Sequence, residues 1–166
     1  MSAEPMAGPR LPSGVVELLD GHDLEAGVGL TIQLLTADES GWPRVALLSV
    51  GEVLVLDDSI LRLALWPGSR TTANLTRTGR ATLAFVHDHA SYTLQVEARR
   101  AADLAEPAER AVFCGRVAAL QRDEVPYAVL TTGIAFDLPD PAPVLERWRT
   151  TIDALRRATA PSGGSA

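Results

Sequence analysis

The chain has 166 residues, 46% of them hydrophobic, which suits one compact domain with a full core. Its fifteen basic residues are all arginine, which excludes the pyridoxal-phosphate Schiff base, the P-loop lysine and the kinase strand lysine. The lone Cys114 excludes an internal disulfide framework and a cysteine-rich zinc site, and a net charge of −6 without a basic stripe speaks against a nucleic-acid partner.

Residues 1–12 are rich in Pro, Gly and Ala and read as a loose arm without the basic start and apolar run of a signal peptide. No stretch approaches the roughly 18 apolar residues of a membrane span, so a cytoplasmic protein is expected. A short helix is predicted over Val15 to Leu19. Closely spaced strands follow, at Leu30 to Ala37, Arg44 to Val50, Glu52 to Leu56, Ile60 to Trp66, Ala81 to Val86 and Tyr92 to Arg99. Tyr92, Leu94, Val96 and Ala98 share one face of the last. Such hairpins are best closed into a barrel, because closure removes exposed edges. Beyond them, Val112, Phe113, Val117 and Leu120 predict a helix over Pro107 to Arg122 that carries Cys114. A short strand is expected at Ile134 to Phe136. A helix over Pro143 to Ala158 aligns Val144, Leu145, Trp148, Ile152 and Leu155 as a packing stripe, within the chain or across a dimer. Residues 13–158 thus read as one domain and 159–166 as a tail with nothing to bury.

The stretch Leu61 to Phe85 is the most informative. An apolar strand runs into Trp66-Pro67-Gly68, then Ser69-Arg70-Thr71-Thr72 opens a short helical turn that Gly79 stops. A guanidinium and three hydroxyls at a helix start form a seat for a phosphate, because the first N–H groups of a helix lack partners there and its dipole favours an anion. The same Ser69 also reads as an ordinary N-cap.

Gly68-Ser69-Arg70, the short helix, and Gly79-Arg80-Ala81-Thr82-Leu83-Ala84-Phe85 together resemble the FMN-binding split barrels related to pyridoxamine 5′-phosphate oxidase. Arg44-Val45-Ala46-Leu47-Leu48 is similar to that family's Arg-x-Val-Leu-Leu strand, whose arginine reaches the same phosphate. The resemblance covers residues 28–104. It implies a mainly β split barrel with flanking helices, a homodimer, and FMN held at the interface. Arg44, Ser69, Arg70, Thr71 and Thr72 would hold the phosphate, with Leu65 and Trp66 flanking the ribityl chain and ring. The family's phosphate lysines fall on Thr71 and Ser49 here, and its flavin-facing Tyr-Thr pair falls on Ala64-Leu65. A glutamine that approaches the ring aligns near Tyr92. The oxidases' C-terminal substrate-binding segment has no counterpart, so pyridoxamine phosphate is not the expected substrate.

Other constellations carry less. His87-Asp88-His89 reads as a polar hairpin tip rather than a metal site, and Asp57-Asp58 as turn chemistry. Side chains alone offer no catalytic machinery, so any redox chemistry would be a cofactor's. The expectation is an FMN-dependent oxidoreductase acting on a small molecule. The alternatives are a non-catalytic flavin, haem or F420 module, or a degenerate barrel without cofactor.

Overall fold

The computed structural model describes residues 8–160. The strands are β1 (Ile32–Ala37), β2 (Pro43–Leu48), β3 (Val53–Val55), β4 (Ile60–Leu65), β5 (Arg80–His87), β6 (Ala90–Arg100) and β7 (Ala111–Asp123). They form one seven-stranded antiparallel sheet in the order β2-β1-β5-β6-β7-β4-β3. Its two edge strands, β2 and β3, are consecutive in the chain. The segment from Leu48 to Val53 reaches at most roughly 17 Å, whereas the edges of a flat sheet this wide would stand roughly 29 Å apart. The sheet must therefore curl into a barrel split between β2 and β3. The hairpin pattern predicts a barrel, and the family resemblance implies that it is split, as it is here.

Alternation decides what the curled sheet encloses. Ile32, Leu34, Leu61, Leu63, Leu83, Leu94, Phe113 and Val117 are buried, and each lies one strand step from a more exposed neighbour on β1, β4, β5, β6 or β7. Among the described residues three helices close the rest: α1 (Ser13–Leu19), α2 (Arg70–Thr78) and α3 (Pro141–Arg157). On α3, Leu145, Trp148, Ile152 and Leu155 are buried while Val144 is half-buried, so this stripe packs within its own chain. Gly51 permits that approach, since a Cβ there would stand 2.2 Å from the Trp148 ring.

Two elements differ from the sequence reading. Residues predicted as a helix over Pro107 to Arg122 form β7, and Cys114 lies half-buried on that strand rather than on a helix. Phe113, Gly115 and Val117 face inward while Arg116 and Ala118 face outward, a period of two that also fits the apolar positions. Gly115 has a strand role, because a Cβ there would meet Val96 at 2.7 Å. In a helix the same glycine would cost about 1 kcal/mol relative to alanine. The expected strand at Ile134 to Phe136 shrinks to one bridge, Ala135 with Leu30.

The His87-Asp88-His89 tip is a tight turn. His87 pairs with Ala90, and Asp88 and His89 take φ of 47° and 61°, the signature of a type I′ hairpin loop. Of the expected arm, residues 1–7 lie outside the described residues. Leu11 is buried, and its N–H donates to the Asp58 carbonyl at 2.7 Å. Of the expected tail, residues 161–166 lie outside the described residues.

Candidate functional site

The chain leaves β4 at Leu65 and turns through Trp66-Pro67-Gly68 into α2. Ser69 is the N-cap: its Oγ accepts from the Thr72 N–H at 3.1 Å and donates to Thr72 Oγ1 at 3.1 Å. Thr72 Oγ1 in turn donates to the Trp66 carbonyl at 2.7 Å. The Ser69 and Thr72 hydroxyls are thus engaged within the turn, where they fix its shape. Gly79 closes the helix with φ 65° and an N–H to the Leu75 carbonyl at 2.8 Å. The amides of Arg70 and Thr71, first in the helix, have no intrahelical acceptor.

Packing brings Arg44 to this helix start. Asn74 is buried and donates to Thr36 Oγ1 at 3.2 Å, which pins α2 to β1, and Thr36 is the cross-strand partner of Arg44. Arg70 lies four residues before Asn74, on the same helix face. Arg44 and Arg70 therefore line one depression of about 310 Å³ with Asp38, Glu39, Ser40, Ala73 and Asn74. Arg70 makes no ion pair among the described residues, whereas Arg44 Nε stands 3.9 Å from Asp38 Oδ2. An anion here would meet two guanidinium groups and the positive end of α2, in competition with the two carboxylates beside them.

The other predicted residues lie apart from this depression. Ala64 and Leu65 are buried opposite Val112 and Ala111, and the Ala64 N–H is taken by the Glu52 carbonyl at 2.9 Å. Tyr92 is buried and stacked on Phe85, with centroids 5.5 Å apart, and its hydroxyl accepts from Arg122 Nε at 3.1 Å. None of these three lines the Arg44–Arg70 depression. Thr71 is half-buried beside Ser69, and Ser69, Thr71 and Thr72 likewise do not line the depression, which of the predicted phosphate residues holds Arg44 and Arg70.

Trp66 opens onto a second, larger cleft of about 470 Å³, bordered by Leu47, Ser49, Glu52, Arg110, Phe136, Arg147 and Trp148. The β4–β7 register explains its most unusual member. Leu65 pairs with Ala111, so the next residues outward, Trp66 and Arg110, are cross-strand neighbours. The Arg110 guanidinium sits 3.7 Å from the Trp66 ring centroid, and its Nη1 donates to the Ala108 and Glu109 carbonyls at 3.2 and 2.9 Å. Arg110 is only 8% exposed, yet its Nε has no hydrogen-bond partner. Burial holds its pKa below the ordinary arginine value; nearby Glu52 opposes that shift and nearby Arg147 adds to it. Glu52 is itself engaged, accepting from the Ser49 N–H at 2.7 Å and the Ser49 hydroxyl at 3.0 Å. Arg110 escaped the sequence reading because the helix expected after Pro107 hid its pairing with Trp66, and Arg147 because nothing local to α3 shows that it reaches this cleft.

Comparison with known proteins agrees with this architecture. The profile of a protein family of unknown function (DUF447, N-terminal domain) matches residues 49–129. A candidate pyridoxamine 5′-phosphate oxidase from Lactobacillus delbrueckii superposes with a TM-score of 0.54 at 19% identity, over 70% of this chain and 97% of that one. An F420 reductase superposes with a TM-score of 0.51 at 16% identity, over 67% of this chain and 98% of that one. At such identities the likeness establishes a shared fold. The uncharacterized protein YclD of Bacillus subtilis is 36% identical over 142 residues, 85% of this chain and 92% of that protein. The chain therefore belongs to the family of YclD, built on a split barrel.

Proposed function

We propose that this chain is an FMN-binding oxidoreductase acting on a small molecule, cytoplasmic and homodimeric, with flavin held where two barrels meet. The observation that carries the reading is the convergence of Arg44 and Arg70, twenty-six positions apart, on one depression beside the start of α2. A guanidinium with no ion pair among the described residues, beside the first N–H groups of a helix, suits a phosphate. The bound flavin would supply the hydride or electron transfer for which the chain's side chains are unsuited. Arg70, Arg44 and the Arg70 and Thr71 amides would hold the phosphate end, while Ser69 and Thr72 keep the turn in shape. The turn and β4 would carry the remaining contacts of Ala64, Leu65 and Trp66, and Tyr92 would support the barrel wall.

A second reading rests on a separate observation. Asp38 and Glu39 border the same depression, and Asp38 stands near Arg44. Those carboxylates weaken a dianion site and favour a degenerate barrel that holds no flavin. Purified protein incubated with FMN and then freed of excess ligand separates the two. Retained flavin, lost in Arg70→Ala, supports the first; a colourless wild-type protein refutes it. NAD(P)H reduction of retained flavin, followed by reoxidation with an added acceptor, distinguishes an enzyme from a carrier.

A further inference from the structure

We propose that the cleft between Trp66 and α3 is an oxyanion-binding substrate site, built for a small planar molecule bearing a carboxylate or phosphate. Its place as the substrate site rests on the flavoprotein reading above; its capacity to bind an anion does not.

Four features of the cleft converge. Arg110 is 92% enclosed, without an ion pair or a partner for Nε among the described residues. A guanidinium taken out of water in that state is a cost, unless something that visits the site repays it. Arg147 reaches the same cleft from α3 and also makes no ion pair or side-chain hydrogen bond among the described residues. The two arginines are close enough to depress the Arg110 pKa by mutual repulsion, which an anion between them would relieve. One carboxylate, Glu52, lines the cleft and accepts hydrogen bonds from Ser49; two guanidinium groups stand against it, so the cleft carries an excess of positive charge.

The aromatic residues define the rest of the ligand. Arg110 covers one face of the Trp66 indole, yet Trp66 remains 60% exposed. Its uncovered surface, with Phe136 and Trp148 across the cleft, suits a flat apolar ring. A cavity of about 470 Å³ lies within the range for small-ligand sites. The polar groups are few and convergent, as specificity for one charged end of a small ring requires.

Calorimetric titration of the full chain with four probes tests this: benzoate, phenyl phosphate, inorganic phosphate and benzamide. At least one ring-bearing anion should bind saturably at one per chain. The uncharged benzamide should bind at least tenfold more weakly, because it lacks the charge that the arginines select. Inorganic phosphate should also bind more weakly, because it leaves the Trp66 face uncovered. Which ring-bearing anion wins distinguishes a carboxylate from a phosphate substrate. Arg147→Gln, on the exposed side of α3, should weaken the preferred anion at least tenfold and leave benzamide unchanged. Arg110→Gln should do the same, and a thermal melt will show whether it still folds. The proposal is overturned if neither ring-bearing anion binds, if benzamide matches them, or if Arg147→Gln binds both anions as the wild type does. FMN retention is measured on the same samples. A wild type that retains no flavin refutes the flavoprotein reading while the titration still decides the anion site. An Arg147→Gln protein that loses flavin would make the cleft a flavin site and overturn its role in substrate binding.

Discussion

The Arg110 guanidinium rests 3.7 Å from the centroid of the Trp66 indole, each residue standing just outside the paired ends of β4 and β7. The contact ties the turn before α2 to the start of β7. Trp66→Leu removes the ring under a cation that stays buried. It should lower the unfolding free energy by about 1 kcal/mol, within the range for partly desolvated cation–π pairs. Urea unfolding measures this; an unchanged midpoint would show that the stacking is incidental.

Residues with local signals were legible from the sequence. Ser69 and Gly79 mark the two ends of α2, and the alternation of Tyr92, Leu94, Val96 and Ala98 marks the buried face of β6. The Asp88-His89 tip is likewise readable from local turn chemistry. β7 was not legible, because Val112, Phe113, Val117 and Leu120 fit a helix as well as a strand. Only the place between β6 and β4 settles the choice, and that place is a property of the whole sheet. Arg110 was hidden for the same reason. Its significance depends on a register with a strand some forty-five residues earlier, which no local window contains.

Gly51 is where the barrel admits α3. A Cβ at this position would fall 2.2 Å from Trp148 Cγ and 2.3 Å from Cδ1, both parts of a rigid ring that is itself buried. Gly51→Ala must displace Trp148 or the connection between β2 and β3. The expected loss is about 2–3 kcal/mol, typical of overpacking in a close-packed core. Gly68→Ala is the control, because a Cβ there meets nothing within 4 Å. Equal stability of the two variants would overturn this account of the α3 contact.

Asp57 links turn chemistry to pH. Burial alone would raise its pKa, but hydrogen bonds from the Ser59 N–H, the Ser59 hydroxyl and the Ile60 N–H, with Arg10 nearby, hold it below its ordinary value of 3.8. A carboxylate depressed in the folded state contributes stability that is present above the unfolded pKa. That contribution is lost as pH falls through the folded value. The wild type should therefore lose stability below about pH 4 through this group. Asp57→Asn keeps an acceptor oxygen but no charge, so its stability relative to the wild type should improve as the pH is lowered. Melting temperatures of both proteins between neutral pH and pH 3 test this, and a constant difference would assign the pH response to other carboxylates.

The proposed homodimer has a candidate contact surface in the edge strand β2. Val45 and Leu47 are 55% and 57% exposed and lie two residues apart, so they project from one face of a strand that is paired on one side only. An uncovered apolar edge invites association unless another surface occupies it. Leu47 also borders the Trp66 cleft, so a subunit seated on this strand would narrow the cleft mouth and exclude water from the stacking face. Wild-type protein should run in light-scattering chromatography at twice the 17.6 kDa chain mass. Leu47→Glu should shift it to one chain mass, because a like charge would enter the interface from both copies of a symmetric dimer. A monomeric wild type would remove the dimer from the functional reading. A dimer indifferent to Leu47→Glu would move the interface to another face and leave the cleft open to solvent.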